Sequence, residues 1–197
     1  MDVRTFRRSA FVALAMIGAA LPVRAAQAGD IADKASQAEA LLSAGKPQEA
    51  LAAFDAASGD FWQALPLSVR VATFVDSVDG YGNYHALPEA SFKPGDTLKI
   101  YLEPVGYGFA DDGGSFRATL AADLEVKTPG GLIFGKASDF ARLTWSAKEK
   151  LYQVHATIAS PLPALKPGDY LLTLTLRDLN SPKTATVALP FTLASAP

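Results

Sequence analysis

The chain has no cysteine. Disulfides, thiolate nucleophiles, cysteine-bound metals and a lipidated N-terminal cysteine are therefore excluded. Histidine is almost as scarce, with two in 197 residues. That leaves little from which to build a transition-metal site, and no metal or cofactor is expected. Beyond residue 28 lysine and arginine never form a run. Nucleic-acid binding needs a basic stripe to neutralise phosphates, so a nucleic-acid partner is not expected. Neither a Gly-x-Ser-x-Gly elbow nor a His-Glu-x-x-His zinc motif occurs. Gly80-Tyr81-Gly82 has no helical pattern after it, so it is not a dinucleotide fingerprint. Asp76, Asp79 and Asn83 lack the ligand register of a calcium loop.

Long apolar runs are missing everywhere except at the N-terminus. Arg4, Arg7 and Arg8 precede the uncharged stretch Ser9–Leu21, and Ala26-Gln27-Ala28 follows. Basic, apolar and small-x-small in that order reads as a cleavable export signal over residues 1–28. The apolar run is shorter than the roughly 20 residues that span a bilayer. No membrane span is expected after cleavage. Arg7-Arg8 only loosely fits a twin-arginine signal, so the general secretory route is preferred. Cleavage would leave 14 basic and 19 acidic residues, a net charge of −5. A periplasmic or secreted location is expected.

Residues 29–60 carry a helical period. Ile31, Ala35, Ala38, Leu41 and Leu42 recur at helical spacing, as do Ala50, Leu51, Phe54 and Ala57. Gly45-Lys46-Pro47 separates the two runs. Glycine suits the left-handed residue after a helix, and proline suits the first turn of the next. Ala40, Gly45, Ala50, Phe54 and Ala57 together resemble part of a tetratricopeptide repeat. One unit is present, whereas such arrays need three or more. The hairpin is therefore expected to pack on the following domain or on another copy of itself.

From residue 61 to residue 197 the period becomes two. Leu98, Ile100 and Leu102 alternate with Lys99, Tyr101 and Glu103, and Leu172, Leu174 and Leu176 alternate with Thr173, Thr175 and Arg177. Phe116–Val126, Tyr152–Ile158 and Ala185–Phe191 behave alike, and Val69–Val75 and Ala141–Trp145 add two more segments. Turn signals lie between them at Pro94-Gly95, Asp112-Gly113-Gly114, Pro129-Gly130-Gly131, Pro167-Gly168 and Ser181-Pro182. Seven or eight strands with one wet and one apolar face predict a mainly β fold, an antiparallel immunoglobulin-like β-sandwich behind an N-terminal helical hairpin.

Lys93-Pro-Gly-Asp96 recurs as Lys166-Pro-Gly-Asp169, each opening an apolar strand. The second copy, running into Tyr170–Asp178, resembles the late core strand of bacterial immunoglobulin-like domains. That resemblance implies a tyrosine corner, with the Tyr170 hydroxyl on local backbone. Gly80-Tyr-Gly-Asn-Tyr84, Phe92-Lys-Pro-Gly-Asp96, Tyr101-Leu-Glu-Pro104, Pro167-Gly-Asp-Tyr170, Arg177-Asp-Leu179 and Pro190-Phe191 together resemble a group of uncharacterised exported bacterial proteins. In that group a short TPR-like hairpin precedes a sandwich. The resemblance implies an architecture over residues ~30–193 and no activity.

Candidate functional residues concentrate between 81 and 107. Tyr81, Tyr84, Tyr101 and Tyr107 offer large contact area with a polar tip. By alternation Tyr101 and Glu103 point away from the core, and His85 lies in the Gly80–Pro88 loop. These six residues form the expected ligand or partner patch. The expected function is a non-catalytic binding or scaffold module for an envelope protein. The first alternative is a carbohydrate-binding module for envelope glycans, with tyrosines stacking on sugars. The second is a hydrolase using His85 and a nearby carboxylate. His155 is expected to be exposed on the polar face of its strand.

Overall fold

The computed structural model describes residues 23–162 and 164–195. The expected leader lies outside the described residues as far as residue 22. Among the described residues two helices come first, α1 (Val23–Ser43) and α2 (Pro47–Ala64). α1 starts inside the segment read as leader, where Ala25, Ala26 and Ala28 are strong helix formers. Gly45 ends it at φ 74°, and the Lys46 N–H reaches back to the Leu41 carbonyl. Pro47 opens α2. Buried Ala38, Ala50 and Ala57 let the helices approach closely, and Lys34 pairs with Asp60 across them. α2 runs to Ala64, one turn past the expected boundary at residue 60. Leu65 is extended because Pro66 follows it.

Ten strands follow: β1 (Ser68–Gly80), β2 (Asn83–Ala86), β3 (Ser91–Phe92), β4 (Thr97–Val105), β5 (Ala110–Asp111), β6 (Phe116–Lys127), β7 (Ile133–Ala147), β8 (Ala156–Pro161), β9 (Gly168–Asp178) and β10 (Thr184–Leu193). One sheet has the order β2-β1-β4-β8. The other runs β3-β10-β9-β6-β5, with β7 also paired to β6. All pairings are antiparallel except the short β3–β10 pair. This is the expected immunoglobulin-like sandwich. Its dry interior holds Leu98, Ile100, Leu102, Leu120, Leu124, Val126, Leu172, Leu174 and Leu176, the residues that the alternation placed inward.

The turns follow their residues. Lys93-Pro-Gly-Asp96 closes with the Asp96 side chain accepting from the Lys93 N–H at 2.8 Å. Tyr170 is a corner, its hydroxyl donating to the Lys166 carbonyl at 2.7 Å. Two expectations fail here. Tyr152–His155 is not strand, since β8 begins at Ala156. The Gly80–Pro88 segment is not all loop. Tyr81-Gly82 makes a two-residue turn between Gly80 and Asn83, with Gly82 at φ 69°, and β2 pairs back onto β1.

Candidate functional site

The expected patch separates into three environments. Tyr101 and Glu103 are 0% and 5% exposed. The expectation that they face solvent is therefore corrected. β4 lies between β1 and β8, and the nominally wet face at Tyr101 and Glu103 is covered. Tyr84 of β2 stacks on the Tyr101 ring at 4.2 Å between centroids, with 27° between planes. His155 stacks on it at 5.6 Å and 18°, so His155 is half-buried and not an exposed strand histidine. The Tyr101 hydroxyl accepts from the Gly82 N–H at 2.7 Å and donates to Glu103 Oε1 at 2.8 Å. Burial, with the Glu103 carboxylate adding to it, pushes the Tyr101 hydroxyl up to about 12. The phenol is locked neutral and its faces are occupied. Tyr84 therefore offers no open coplanar partner for a sugar ring.

Tyr107 is also buried, at the foot of the hairpin. Trp62 meets its ring edge-on at 5.1 Å, and Trp62 itself packs at a tilt on Tyr152 at 4.8 Å. The Trp62 indole donates to the Tyr107 carbonyl at 2.8 Å, and the Tyr107 hydroxyl donates to the Leu151 carbonyl. Burial drives the Tyr107 hydroxyl above the usual phenol range, with Tyr81 and Tyr152 adding to the shift. Phe109 and Trp145 extend the cluster. Among the described helix residues, Trp62 is the one that enters the sandwich core. Lys183 Nζ clasps the same junction, donating to the Gln63 and Gly106 carbonyls at 2.8 Å each. A cation on the final carbonyls of α2 also complements the helix dipole. Tyr107 is thus a docking residue, not a surface one.

The remaining candidates stay near the surface. Half-buried Tyr81 accepts from Arg70 at 2.9 Å. His85 Nε2 lies 3.8 Å from Asp79 Oδ2, with both side chains mostly exposed. With that exposure, little at the pair would exclude water or orient a substrate. Asp111-Asp112-Gly113-Gly114 makes the expected turn, closed by reciprocal Asp112–Ser115 backbone bonds.

The feature that the sequence reading did not single out lies on the hairpin. Ala35, Ala38, Glu39 and Leu42 of α1 face Pro47, Gln48, Ala50, Leu51 and Phe54 of α2 around a groove of about 500 Å³. Its floor is alanine. Its walls are Leu42, Leu51 and Phe54, which are 64%, 56% and 57% exposed. The signal was present in α2. Ala50, Leu51, Phe54, Ala57, Phe61 and Trp62 form an apolar arc wider than one packing partner requires. Ala50, Ala57 and Trp62 are buried, while Leu51, Phe54 and Phe61 remain outside.

No family model and no curated protein matches the sequence. Solved structures give distant likenesses. The CARDB domain of a Pyrococcus furiosus protein, crystallised with di-metal ions, matches at 9% identity and TM-score 0.31, covering 66% of this chain and 86% of that one. A conjugative transposon lipoprotein from Bacteroides eggerthii matches at 13% and 0.30, covering 64% and 96%. The sporulation control protein Spo0M from Bacillus subtilis matches at 8% and 0.34, covering 67% and 51%. No activity is transferred from these proteins. The chain itself has two N-terminal helices followed by a β-sandwich. No described helix is long and apolar enough to cross a membrane.

Proposed function

We propose that this chain is a non-catalytic, exported binding module for an envelope protein, with the helical hairpin as its recognition element and the sandwich as its rigid base. One observation carries this reading: a groove with an alanine floor, walled by exposed Leu42, Leu51 and Phe54. Large apolar side chains gathered at the surface mark interaction sites more often than they mark solvent-facing skin. Burial of Tyr101, Glu103 and Tyr107 takes away the surface on which the carbohydrate alternative depended. The open setting of His85 and Asp79 removes the support for a hydrolase. The leader sequence is the ground for export, and a chain recovered from the periplasm beginning near Gly29 would agree with it. The binding reading is tested by pull-down from envelope extract with wild type, Leu51→Asp and Tyr84→Ala. A protein retained by wild type and Tyr84→Ala but lost with Leu51→Asp supports it. Retention unaffected by Leu51→Asp removes the groove from the account.

A further inference from the structure

We infer that the hairpin groove takes an amphipathic helix of a partner protein, with lysine or arginine flanking its apolar face. This rests on the binding-module reading and adds the partner's chemistry to it.

The first argument concerns backbone polarity. Both walls of the groove are α-helices, whose backbone donors and acceptors are satisfied internally beyond the first turn of α2. Only Glu39 and Gln48 bring polar side chains to the lining. An extended peptide laid there would lose water from its N–H and C=O groups and find few replacements. A helical occupant carries its own hydrogen bonds into the groove. The dimensions agree. Ala35 to Leu42 is seven helical rises, about 10 Å, which matches two turns of a partner presenting apolar residues three and four apart. Buried Ala38 and Ala50 allow close approach along the floor.

The second argument is charge complementarity. Over the two helices six acids, Asp30, Asp33, Glu39, Glu49, Asp55 and Asp60, face three bases. Of these bases, Lys34 is held by Asp60 and Lys46 by Glu49. Arg24 lies near the start of α1, eleven residues before Ala35, about 16 Å along the helix. Among the described residues, Asp33, Glu39 and Asp55 have no ion-pair partner. Of these, Glu39 lines the groove, while Asp55 lies in the crevice between α2 and the Lys148–Tyr152 segment. A second copy of the chain would set this acid-rich hairpin against its own kind. A basic flank neutralises Glu39.

The test uses the full chain and two synthetic helical peptides measured by fluorescence anisotropy. Both carry the same leucine face, one flanked by arginine and the other by glutamate. The arginine peptide should bind about tenfold tighter at low salt, the difference between attraction and repulsion at Glu39 on an acid-rich hairpin. Added salt should narrow the gap. Phe54→Asp should abolish binding without moving the urea midpoint of the sandwich, and Glu39→Gln should shrink the difference between peptides. Equal affinity for both peptides, or binding indifferent to Phe54→Asp, overturns the inference. So does a dimer in light scattering that Phe54→Asp dissociates, because the occupant is then a second copy. The binding-module reading fails on a different result, an envelope pull-down that Leu51→Asp leaves unchanged.

Discussion

Tyr101→Phe tests whether the residue with the most suggestive sequence context is structural. The substitution keeps the ring between Tyr84 and His155 and removes one oxygen. That oxygen makes two hydrogen bonds, accepting from Gly82 N–H at 2.7 Å and donating to Glu103 at 2.8 Å. A bond to a charged group contributes about 1.5–3 kcal/mol and a neutral one about 1 kcal/mol, and a buried group left unpaired adds a desolvation penalty. Glu103 is 5% exposed, so its carboxylate would lose this partner inside the fold. The expected cost is roughly 2–4 kcal/mol, a large part of the 5–15 kcal/mol that ordinarily holds a domain together. Glu103→Gln keeps an acceptor for the phenol and should cost about 1 kcal/mol. The double variant should cost less than the sum of the singles by about 1 kcal/mol or more, because both remove the same bond. Urea unfolding followed by the fluorescence of Trp62 and Trp145 measures all three. A Tyr101→Phe variant within about 0.5 kcal/mol of wild type, or additive singles, would refute the buried tyrosine–glutamate pair. Partner retention in the pull-down should be unchanged at temperatures where the variant remains folded.

Three other outcomes follow from the same structure. Gly106→Ala should destabilise by about 3 kcal/mol or more, because Gly106 sits at φ 80° and a Cβ there would collide with the Pro66 carbonyl and meet Leu65 Cβ at 3.1 Å; a thermal midpoint equal to wild type would contradict this. Trp62→Ala should cost about 3–5 kcal/mol and expose the Ala64–Leu67 link to limited proteolysis, with Trp62→Phe intermediate; unchanged cleavage at that link would argue against a docked hairpin. The protein should also unfold on the alkaline side. Tyr101 and Tyr107 are held neutral above the unfolded phenol value near 10. Their contribution is therefore complete below pH ~10 and lost as pH rises through the folded value of about 12 for Tyr101. Far-ultraviolet dichroism between pH 9 and 12.5 should show that loss, and it should begin at lower pH when Tyr107→Phe has already weakened the fold.

Alternation and turn chemistry were enough to find the sandwich. Leu98, Ile100 and Leu102 could be assigned to one face of β4 because successive side chains on a strand must point to opposite sides. Gly45 before Pro47 sufficed for the helical hairpin for an equally local reason, and Tyr170 for the corner. What alternation cannot say is what lies over the second face. Tyr101 and Glu103 share a face opposite the leucines, as read, yet that face is covered by Tyr84 and His155, which come from before β4 and from well after it. Such coverage depends on how chain segments far apart in sequence come together, and residue spacing carries no record of it. The same limit hid the groove. The apolar residues of α2 were legible, but only its packing against α1 decides that Ala50 and Ala57 turn inward while Leu51 and Phe54 stay outside. Local backbone geometry and burial preference are written residue by residue. The contacts that make a tyrosine core and a phenylalanine surface are settled only when both helices and both sheets are in place.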